Sequence, residues 1–442
     1  MIKQSFLLAF LLWVWMQQKR FIHCSEVFDK SSSIFVQEEL HQAVKESERL
    51  ESDPTQTYPD SSSARDWNNW LAIFNTFSSS QTFLKDFWQK APMFLDEPFQ
   101  FIQNHFTLEN EIRESVDGTF VQGLAADSTV STGESKTWTY TSINENPMSP
   151  MSYAAVQQKL ENSTIYFNNG ALLFPKLGAI CLASQEAFDF PNTINVYITK
   201  PNLPVSLIPH TDKQDVFIIQ TQGAKAWKVY APPSPRKAGV DPLVRGKFGD
   251  EMTEEELGEP LLDIVLQPGQ MLYIPVGFPH ATSTKGVEGE PLSSATSVHL
   301  TLGIDTHIWG LSYAVLRWCG FMKSGIDFRL NTTAMTDEVY YHMQNALELG
   351  FLESGLESNH ILESAVELIK KAEPERFIDG LPSNVLDNLD KSVQYLKAHH
   401  RSLTDLHAKT YSTIEVGDVI SAAMFVQEQK EKMNEFNAFC SP

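Results

Sequence analysis

The spacing of the hydrophobic residues changes twice along the chain. Between residues 66 and 91, large apolar side chains recur every three or four residues, which predicts a helical region that ends before Pro92. From about residue 152 to 304, short apolar runs alternate with turns that contain Pro and Gly, a pattern typical of a β-barrel or β-sandwich. The predicted strands are Asn195–Thr199, Asp215–Thr221, Ala226–Tyr230, Met271–Ile274 and Ser297–Ile304. After Asp305 the helical spacing returns, so the predicted fold class is mainly β with flanking helices.

These patterns divide the chain into five predicted segments. They are a signal peptide (1–25), a polar linker (26–65), an N-terminal helical part with a loop before the barrel (66–150), a barrel (151–325) and an α-helical C-terminal domain (326–442). The linker contains a short predicted helix near Phe35–Leu50, and the Ser-, Thr- and Asp-rich residues 126–150 are predicted to form a long loop. In the C-terminal domain, apolar faces predict helices that begin near Ser358, Val385 and Val416.

The composition narrows the classes of function. The 442 residues include 34 Lys and Arg against 55 Asp and Glu, which gives a formal net charge of −21, and 42% are hydrophobic. The apolar content supports a sizeable core and excludes wholesale disorder. The strong acidity argues against direct nucleic-acid binding and against general binding to anionic membranes. The sequence contains no Gly-rich phosphate loop, no Gly-x-Ser-x-Gly elbow and no His-Glu-x-x-His, so it does not support a kinase, a hydrolase of that type or a zinc protease.

The N-terminal residues predict a secretory leader. Lys3 precedes an apolar run from Phe6 to Met16, which has the length of a signal-peptide core and is too short to span a bilayer comfortably. A short signal anchor or a plastid-type presequence is the alternative, and no other segment approaches transmembrane length. Asn162 and Asn331 each begin a glycosylation sequon.

The cysteines do not predict a disulfide framework. The chain has four, and their positions are Cys24, Cys181, Cys319 and Cys440. They are too few and too scattered for such a framework, and they lack the short paired spacing of a zinc site. Removal of a leader near Cys24 would leave an odd number, so we predict buried or free thiols.

The most specific chemical pattern is Pro209-His210-Thr211-Asp212. Alternate residues of a strand point to the same face, so the side chains of His210 and Asp212 are predicted to converge. A later histidine would complete a 2-His-1-carboxylate triad, which holds Fe(II) on one side and leaves other coordination positions open. His280 is the candidate, because it follows a predicted turn, a buried strand and a second turn and opens the next strand.

Together with residues 215–230 and the element around His280, this motif resembles the JmjC-type cupin oxygenases, and most closely their ribosomal oxygenase group. Asp86-Phe-Trp-Gln-Lys-Ala-Pro92 is similar to the helix that precedes the barrel in that group. The resemblance covers roughly residues 66–330 and implies a double-stranded β-helix, the jelly-roll or cupin barrel, followed by helices. The ligands of Fe(II) that it implies are His210, Asp212 and His280.

The resemblance also assigns a residue to the distal carboxylate of the cosubstrate 2-oxoglutarate. In this group a Lys or Arg stands fifteen positions after the first ligand, and Lys225 occupies that position. Strand alternation places Lys225 on one face with Trp227 and Val229. A lysine among apolar neighbours is costly unless it meets an anion. The alternative is a surface lysine that aligns by chance.

Two further residues are assigned to the cosubstrate pocket. Asn195 matches the pocket asparagine of the family, although it lies one residue farther from the first ligand, and a turn-flanking asparagine is the alternative. Ser297 lies in the predicted last barrel strand and shares its inward face with His299 and Thr301. We interpret His299 as a hydrogen-bonded core histidine, with a pocket-lining role as the alternative.

The resemblance implies an enzyme that uses Fe(II), 2-oxoglutarate and O2 to hydroxylate a protein side chain, with release of succinate and carbon dioxide. In the resembling group the substrates are His or Arg side chains of ribosomal proteins, and demethylation of histone lysine has also been attributed to it. Two other hypotheses stay open: a catalytically silent metal-binding cupin that serves as a dimeric scaffold, and a cupin isomerase or dioxygenase that uses the triad without 2-oxoglutarate. The helical C-terminal domain predicts a homodimer. The relatives act in the nucleus or cytosol, whereas the leader predicts the endoplasmic reticulum lumen or the extracellular space.

Overall fold

The computed structural model describes residues 30–51, 62–117, 124–130, 136–143, 150–232, 246, 254–286, 290–331, 335–349, 358–415 and 418–441. The helices in these ranges are α1 (Lys30–Glu51), α2 (Ser62–Ser79), α3 (Arg113–Val116), α4 (Tyr153–Leu160), α5 (Gly170–Leu173), α6 (Pro175–Phe188), α7 (Glu254–Leu257), α8 (Tyr313–Lys323), α9 (Asp337–Gln344), α10 (Ser358–Ala372), α11 (Ser383–Thr413) and α12 (Val419–Cys440). The strands are β1 (Met93–Leu95), β2 (Leu124–Val130), β3 (Lys136–Ser142), β4 (Thr164–Phe167), β5 (Asn192–Thr199), β6 (Leu207–His210), β7 (Asp215–Gln222), β8 (Lys225–Val229), β9 (Leu262–Leu266), β10 (Met271–Ile274), β11 (His280–Ser283) and β12 (Ser297–Ile304). The predicted signal peptide, residues 1–25, lies outside the described residues.

Two antiparallel sheets form the centre of the fold. The larger sheet has the strand order β1–β10–β7–β12–β5–β4–β2–β3, and the smaller sheet has the order β6–β11–β8–β9. The predicted strands Met271–Ile274 and Ser297–Ile304 are confirmed with their bounds, and the other three differ by at most three residues at an end. Sheets and flanking helices together confirm the predicted fold class.

Strand β7 contains a continuous apolar run, residues 216–219, instead of alternating apolar and polar residues, because both of its faces are buried. Val216 and Ile218 face the interior between the two sheets, where they pack with Trp227 of β8. Phe217 and Ile219 belong to the other cluster, under the helices, where Phe217 contacts Phe77 of α2. Both faces of the strand are therefore removed from water, and burial of each large apolar side chain contributes about 1.5–3 kcal/mol to folding.

Gln89 connects the segment before the barrel to the barrel itself. It lies in the Asp86–Pro92 motif with a positive φ of 59°. Its side-chain amide donates a hydrogen bond to Asp215 (3.1 Å), and its backbone N–H donates one to the Tyr273 hydroxyl (2.8 Å). Its side-chain oxygen accepts from the backbone N–H of Ala346, beyond the barrel. The motif thus fixes three parts of the chain to one another.

The predicted loop at residues 126–150 is wrong in part. Strands β2 and β3 form an antiparallel hairpin, and β2 also pairs with β4, so the hairpin extends the larger sheet. Strand β3 is the outermost strand of the larger sheet, and edge strands commonly carry polar residues. The polar composition of residues 126–150 predicts a loop, but the β-branched threonines of β2 and β3 favour strands.

The predicted polar linker, residues 26–65, contains the predicted helix near Phe35–Leu50, but this helix begins earlier, at Lys30, and packs on the folded unit. Helix α1 spans 22 residues of the linker and buries Val36, Leu40 and Val44, which recur every fourth position on one face. The Ser80 hydroxyl donates a hydrogen bond to Glu39 of this helix (2.6 Å). Residues 30–51 therefore belong to the folded unit.

Helices α9 to α12 form the predicted helical C-terminal part, and α8, which lies at the end of the predicted barrel segment, packs against it. An ion pair between these parts is buried: Arg317 of α8 donates hydrogen bonds to the carboxylate of Glu373 and to the carbonyl of Phe328. Both partners are held in fixed positions, so the pair sets the position of the end of α10 relative to α8. Among the described residues, no helix combines the length and apolar character that a membrane crossing requires.

The prediction of free thiols is wrong for Cys319 and Cys440. They form a disulfide that joins α8 to the last residue of α12, and their exposed fractions are 1% and 0%. The two residues are 121 positions apart and meet because α12 packs on α8, which sequence spacing does not reveal. Cys181 is buried as a free thiol, as predicted, and burial raises its pKa.

We expect the disulfide to contribute strongly to stability, because it closes a loop of more than a hundred residues. A Cys440→Ser variant should lose roughly 3–5 kcal/mol of unfolding free energy, measured by denaturant unfolding. A Cys181→Ala variant is the control, since it should keep the sensitivity of the wild type to reductant. An unfolding midpoint of the wild-type protein that does not change on reduction would contradict the expectation.

Candidate metal centre

The register of the smaller sheet brings the predicted metal ligands together. His210 is the last residue of β6, and His280 is the first residue of the neighbouring antiparallel strand β11, directly opposite it. Asp212 lies two residues beyond the end of β6, so it follows the strand instead of belonging to it as predicted. Its carboxylate nevertheless points to the same place as the two imidazoles. We call these three residues the metal triad.

The distances within the metal triad fit a shared ion. Asp212 Oδ1 lies 4.0 Å from His210 Nε2, and Asp212 Oδ2 lies 3.5 Å from His280 Nε2. One ligand atom from each residue can be chosen so that all three lie within 4.8 Å of one another. Two imidazoles and one carboxylate are a donor set suited to a first-row divalent metal such as Fe(II).

The exposure of the metal triad is uneven. The side chain of His280 is 4% exposed, whereas those of Asp212 and His210 are 17% and 29% exposed. The site is therefore closed on the His280 side and accessible on the His210 side. An accessible side leaves room for further ligands on the metal.

Hydrogen bonds from neighbouring backbone groups orient the metal triad. His280 Nδ1–H donates to the carbonyl of Phe278 (3.1 Å), so in the neutral imidazole the lone pair lies on Nε2, which faces Asp212. The backbone N–H of Gly277, at a φ of +77°, donates to the carbonyl of Asp212 (3.1 Å). The turn before His280 is thereby attached to the segment that carries the carboxylate.

Gly246 is required at its position beside the metal triad. Its φ is +80°, and a Cβ atom there would lie 2.0 Å from the carbonyl oxygen of Asp212. A side chain would displace the Asp212 backbone, since real Cβ contacts are never that short. The absence of a Cβ therefore protects the position of the Asp212 carboxylate.

Lys225 faces the interior of the barrel, as the alternation predicted. It is 0% exposed, and its ammonium group donates a hydrogen bond to the Thr199 hydroxyl (3.1 Å). No carboxylate of the described residues forms an ion pair with it. Burial lowers the pKa of Lys225 to about 7, which means that its protein surroundings do not by themselves stabilise the charged form. A bound anion would restore the charge.

His299 packs against Trp227 and has no hydrogen-bond partner among the described residues. It is fully buried and stacks on Tyr197 with a ring-centroid distance of 4.9 Å and an interplanar angle of 2°. Neither of its ring nitrogens has a partner among the described residues, so the interpretation as a hydrogen-bonded core histidine is wrong. Burial, with the positive charges of Lys225 and His280, lowers the pKa of His299 well below its usual range.

Buried polar groups without a partner are rare in folded proteins, so groups of this kind in the barrel interior are suited to bind a polar ligand. The indole N–H of Trp227, whose ring lies 5.3 Å from that of His299, also has no partner among the described residues. The ammonium group of Lys225, the indole N–H of Trp227 and the two imidazole nitrogens of His299 thus lie in the barrel interior, where the Trp227 ring is 5.9 Å from that of His280. A small polar molecule with an anionic end fits this set.

The other two predicted pocket residues lie on the same inner face and are already hydrogen-bonded. The Ser297 hydroxyl accepts from the side-chain amide of Gln220 (3.0 Å). The Asn195 side-chain oxygen accepts from the backbone N–H of Asn169 (3.1 Å), which leaves its NH2 group for a ligand. No contact of either residue with the metal triad is seen, so their role in cosubstrate binding stays a prediction.

The sequence analysis missed Thr199 and Tyr197 as pocket residues. Both share the inward face of β5 with Asn195, so strand alternation contains the signal. The pairing of β5 with β12 sets Tyr197 opposite His299 and Thr199 opposite Ser297. That register, which the sequence does not show, decides which side chains meet.

Comparison with known proteins agrees with the resemblance that the motifs indicated. Residues 180–306 match the model of the JmjC domain, and this range contains the metal triad and Lys225. Over 144 residues the chain is 38% identical to the bifunctional lysine-specific demethylase and histidyl-hydroxylase NO66 of Drosophila mojavensis, a match that covers 33% of this chain and 15% of that protein. The Aedes aegypti protein of the same name is 32% identical over 144 residues, with 33% and 21% covered. The match therefore spans about a fifth or less of these relatives.

One of the solved structures similar to this chain is that of the ribosomal oxygenase YcfD from Escherichia coli in complex with cobalt and 2-oxoglutarate. It is 19% identical to this chain, with a TM-score of 0.34, and the match covers 66% of each chain.

Proposed function

We propose that this chain, in which residues 180–306 form a JmjC domain, is an Fe(II)- and 2-oxoglutarate-dependent oxygenase that hydroxylates a side chain of a protein substrate. One observation carries the proposal. The metal triad and a fully buried lysine without a carboxylate partner among the described residues share one barrel interior. A triad alone fits many metal proteins, but the buried ammonium group specifies an anionic ligand as well.

Some residues of the pocket would bind the metal, and others would bind the cosubstrate. The metal triad would hold Fe(II), which supplies the activation of dioxygen when it is bound. Lys225 and the Thr199 hydroxyl would receive the distal carboxylate of 2-oxoglutarate. The apolar side chains of Val216, Ile218 and Trp227 keep water away from this end of the pocket, which strengthens the interaction between the charges.

The proposed substrate is a His or Arg side chain of another polypeptide, with lysine demethylation as the alternative reaction. The names of the relatives, which include a histidyl-hydroxylase and a lysine-specific demethylase, support a protein substrate. The net charge of −21 also favours approach of a basic polypeptide. The identity of the substrate residue is a proposal that the following experiment addresses.

The purified full chain, supplied with Fe(II) and 2-oxoglutarate, should release succinate faster than a His210→Ala variant. Mass spectrometry of basic candidate polypeptides should then show a gain of one oxygen atom that depends on Asp212. Equal succinate release from both proteins would favour a silent scaffold. Substrate oxidation that does not require 2-oxoglutarate would favour a cupin enzyme of another type.

We expect His299→Phe to separate binding from folding. Phenylalanine keeps the stack on Tyr197 but removes both unpartnered nitrogens, so stability should stay the same or rise. The dissociation constant for 2-oxoglutarate should rise about fivefold, because a lost hydrogen bond costs about 1 kcal/mol. Calorimetric titration and thermal unfolding measure the two effects. A less stable variant with unchanged affinity would assign His299 to packing alone.

We also infer a homodimer from the surface of α12. Ile420 and Met424, one helical turn apart, are 75% and 58% exposed. Large apolar side chains that share a helix face are typical of a protein–protein contact. Light scattering should show twice the mass of one chain at micromolar concentration, and Ile420→Glu should reduce it; a wild-type monomer would exclude the dimer.

A further inference from the structure

A disulfide and two sequons give independent signs of the compartment in which this chain matures. The Cys319–Cys440 disulfide is buried and joins two helices that pack on each other. Structural disulfides of this kind persist in oxidising compartments and are rare in the cytosol and nucleus, where thiols are kept reduced. This bond therefore favours the secretory pathway over the compartments of the relatives.

The sequon at Asn162 lies in a suitable position on the surface. Asn162 is exposed in the turn between α4 and β4, whereas Ser163 and Thr164 after it are 3% and 0% exposed. The Thr164 hydroxyl donates a hydrogen bond to the carbonyl of Ser206 (2.9 Å). A glycan on Asn162 would thus extend into solvent without disturbing the buried strand that follows.

The second sequon also presents its asparagine to solvent. Asn331 is exposed in the segment that follows α8. Both asparagines of the two sequons in the sequence are therefore accessible in the folded protein, as glycosylated asparagines must be.

We propose that the chain matures in the lumen of the secretory pathway, where it acquires the Cys319–Cys440 disulfide and N-linked glycans at Asn162 and Asn331. Each glycan forms a bond from the asparagine Nδ2 to the anomeric carbon of a lipid-diphosphate-linked oligosaccharide, with loss of a proton and departure of the lipid diphosphate. The disulfide forms as the two thiols give two electrons and two protons to the disulfide of a thiol oxidoreductase, which becomes a dithiol.

This inference restricts the substrate of the proposed oxygenase, and that restriction rests on the proposed function. A luminal enzyme meets polypeptides of the secretory pathway rather than ribosomal proteins. The maturation itself does not depend on catalysis. Glycan analysis and succinate release are separate measurements, so failure of one proposal is distinguishable from failure of the other.

The test expresses the full chain in cultured insect cells and treats the recovered protein with peptide N-glycosidase. The wild type should lose two glycans, Asn162→Gln and Asn331→Gln should each lack one, and the double variant should lack both. Asn75→Gln is the matched control, because Asn75 is exposed on α2 and is not followed by a hydroxyl residue two positions later. Thr164→Ser, which preserves the sequon, should keep both glycans.

The disulfide is detected separately in the same wild-type protein. Free thiols are alkylated first, and the protein is then analysed by peptide mapping without reduction. Linked peptides that contain Cys319 and Cys440 are expected. Unglycosylated protein with both thiols alkylated would overturn the whole proposal, and linked peptides without any glycan would overturn the glycosylation. A glycan at one asparagine alone would overturn the assignment of the other. Because the asparagine variants leave the disulfide and core intact, loss of folding does not confuse these outcomes.

Discussion

Replacement of Asp212 by alanine is expected to lower 2-oxoglutarate-dependent succinate release by about 1,000-fold or more, and to abolish tight binding of Fe(II). The carboxylate is the anionic member of the metal triad and faces both imidazoles, at 4.0 Å and 3.5 Å. Its loss removes a ligand and the negative charge that offsets the metal. Loss of groups that merely orient metal ligands already costs about 10–100-fold, so loss of a ligand should cost more.

The measurement pairs metal analysis of the protein with a succinate assay. Asp263→Ala is the matched control, because the Asp263 carboxylate is 58% exposed on β9 and contacts only the surface Lys228 among the ion pairs of the described residues. It should retain metal and activity. Asp212→Ala protein that keeps both metal and turnover would remove the metal triad from the chemistry.

The strands of the barrel were predictable because they are bounded by turn residues and filled with apolar ones. Met271–Ile274 lies between Pro268-Gly269 and Pro275, and the structure returns the same bounds. The hairpin of β2 and β3 was not predictable in this way, since both strands carry many polar residues. The Cys319–Cys440 bond could not be predicted either, because it depends on how α12 packs on α8.

The features of the candidate site also differ in whether the sequence predicts them. The chemical identity of His210, Asp212 and His280, and the inward orientation of Lys225, follow from residue types and alternation within single strands. The contact of Lys225 with Thr199 requires the packing of the two sheets on each other, and the stack of His299 on Tyr197 requires the register of β12 with β5. Sequence patterns specify what one strand presents, whereas tertiary pairing specifies what each side chain meets.

Replacement of Lys225 by methionine is expected to weaken 2-oxoglutarate binding by about 100-fold, since an ion pair to a buried group contributes roughly 3 kcal/mol. Methionine has a similar length and leaves the apolar packing in place, but it cannot pair with a carboxylate. The metal triad is untouched, so binding of Fe(II) should be unchanged. Isothermal titration with 2-oxoglutarate, in the presence of a redox-inert metal such as Mn(II), measures the loss.

Lys228→Met is the control for this substitution. Lys228 lies on the same strand, on the opposite face, where its side chain is 51% exposed and its Nζ lies 3.5 Å from Asp263 Oδ2. It should bind 2-oxoglutarate as the wild type does. If the two variants lose affinity equally, or neither does, Lys225 is not the partner of the distal carboxylate.

Although Lys225→Met should weaken cosubstrate binding, the variant without cosubstrate should be more stable than the wild type at low pH. Burial holds the pKa of Lys225 at about 7 in the folded protein, below its ordinary value of 10.5, so the unfolded chain binds more protons between these values. Wild-type stability therefore rises with pH across this window, and it is lost progressively as pH falls from about 10.5 to about 7. The variant lacks this dependence, so at pH 6 its free energy of unfolding should exceed that of the wild type by a few kcal/mol.

Saturating 2-oxoglutarate should reverse this order of stability, because the ammonium group of Lys225 then has an anionic partner. Thermal unfolding from pH 6 to 10, with and without 2-oxoglutarate, tests this; a wild type more stable than the variant at pH 6 without ligand would show that Lys225 serves the fold rather than a ligand.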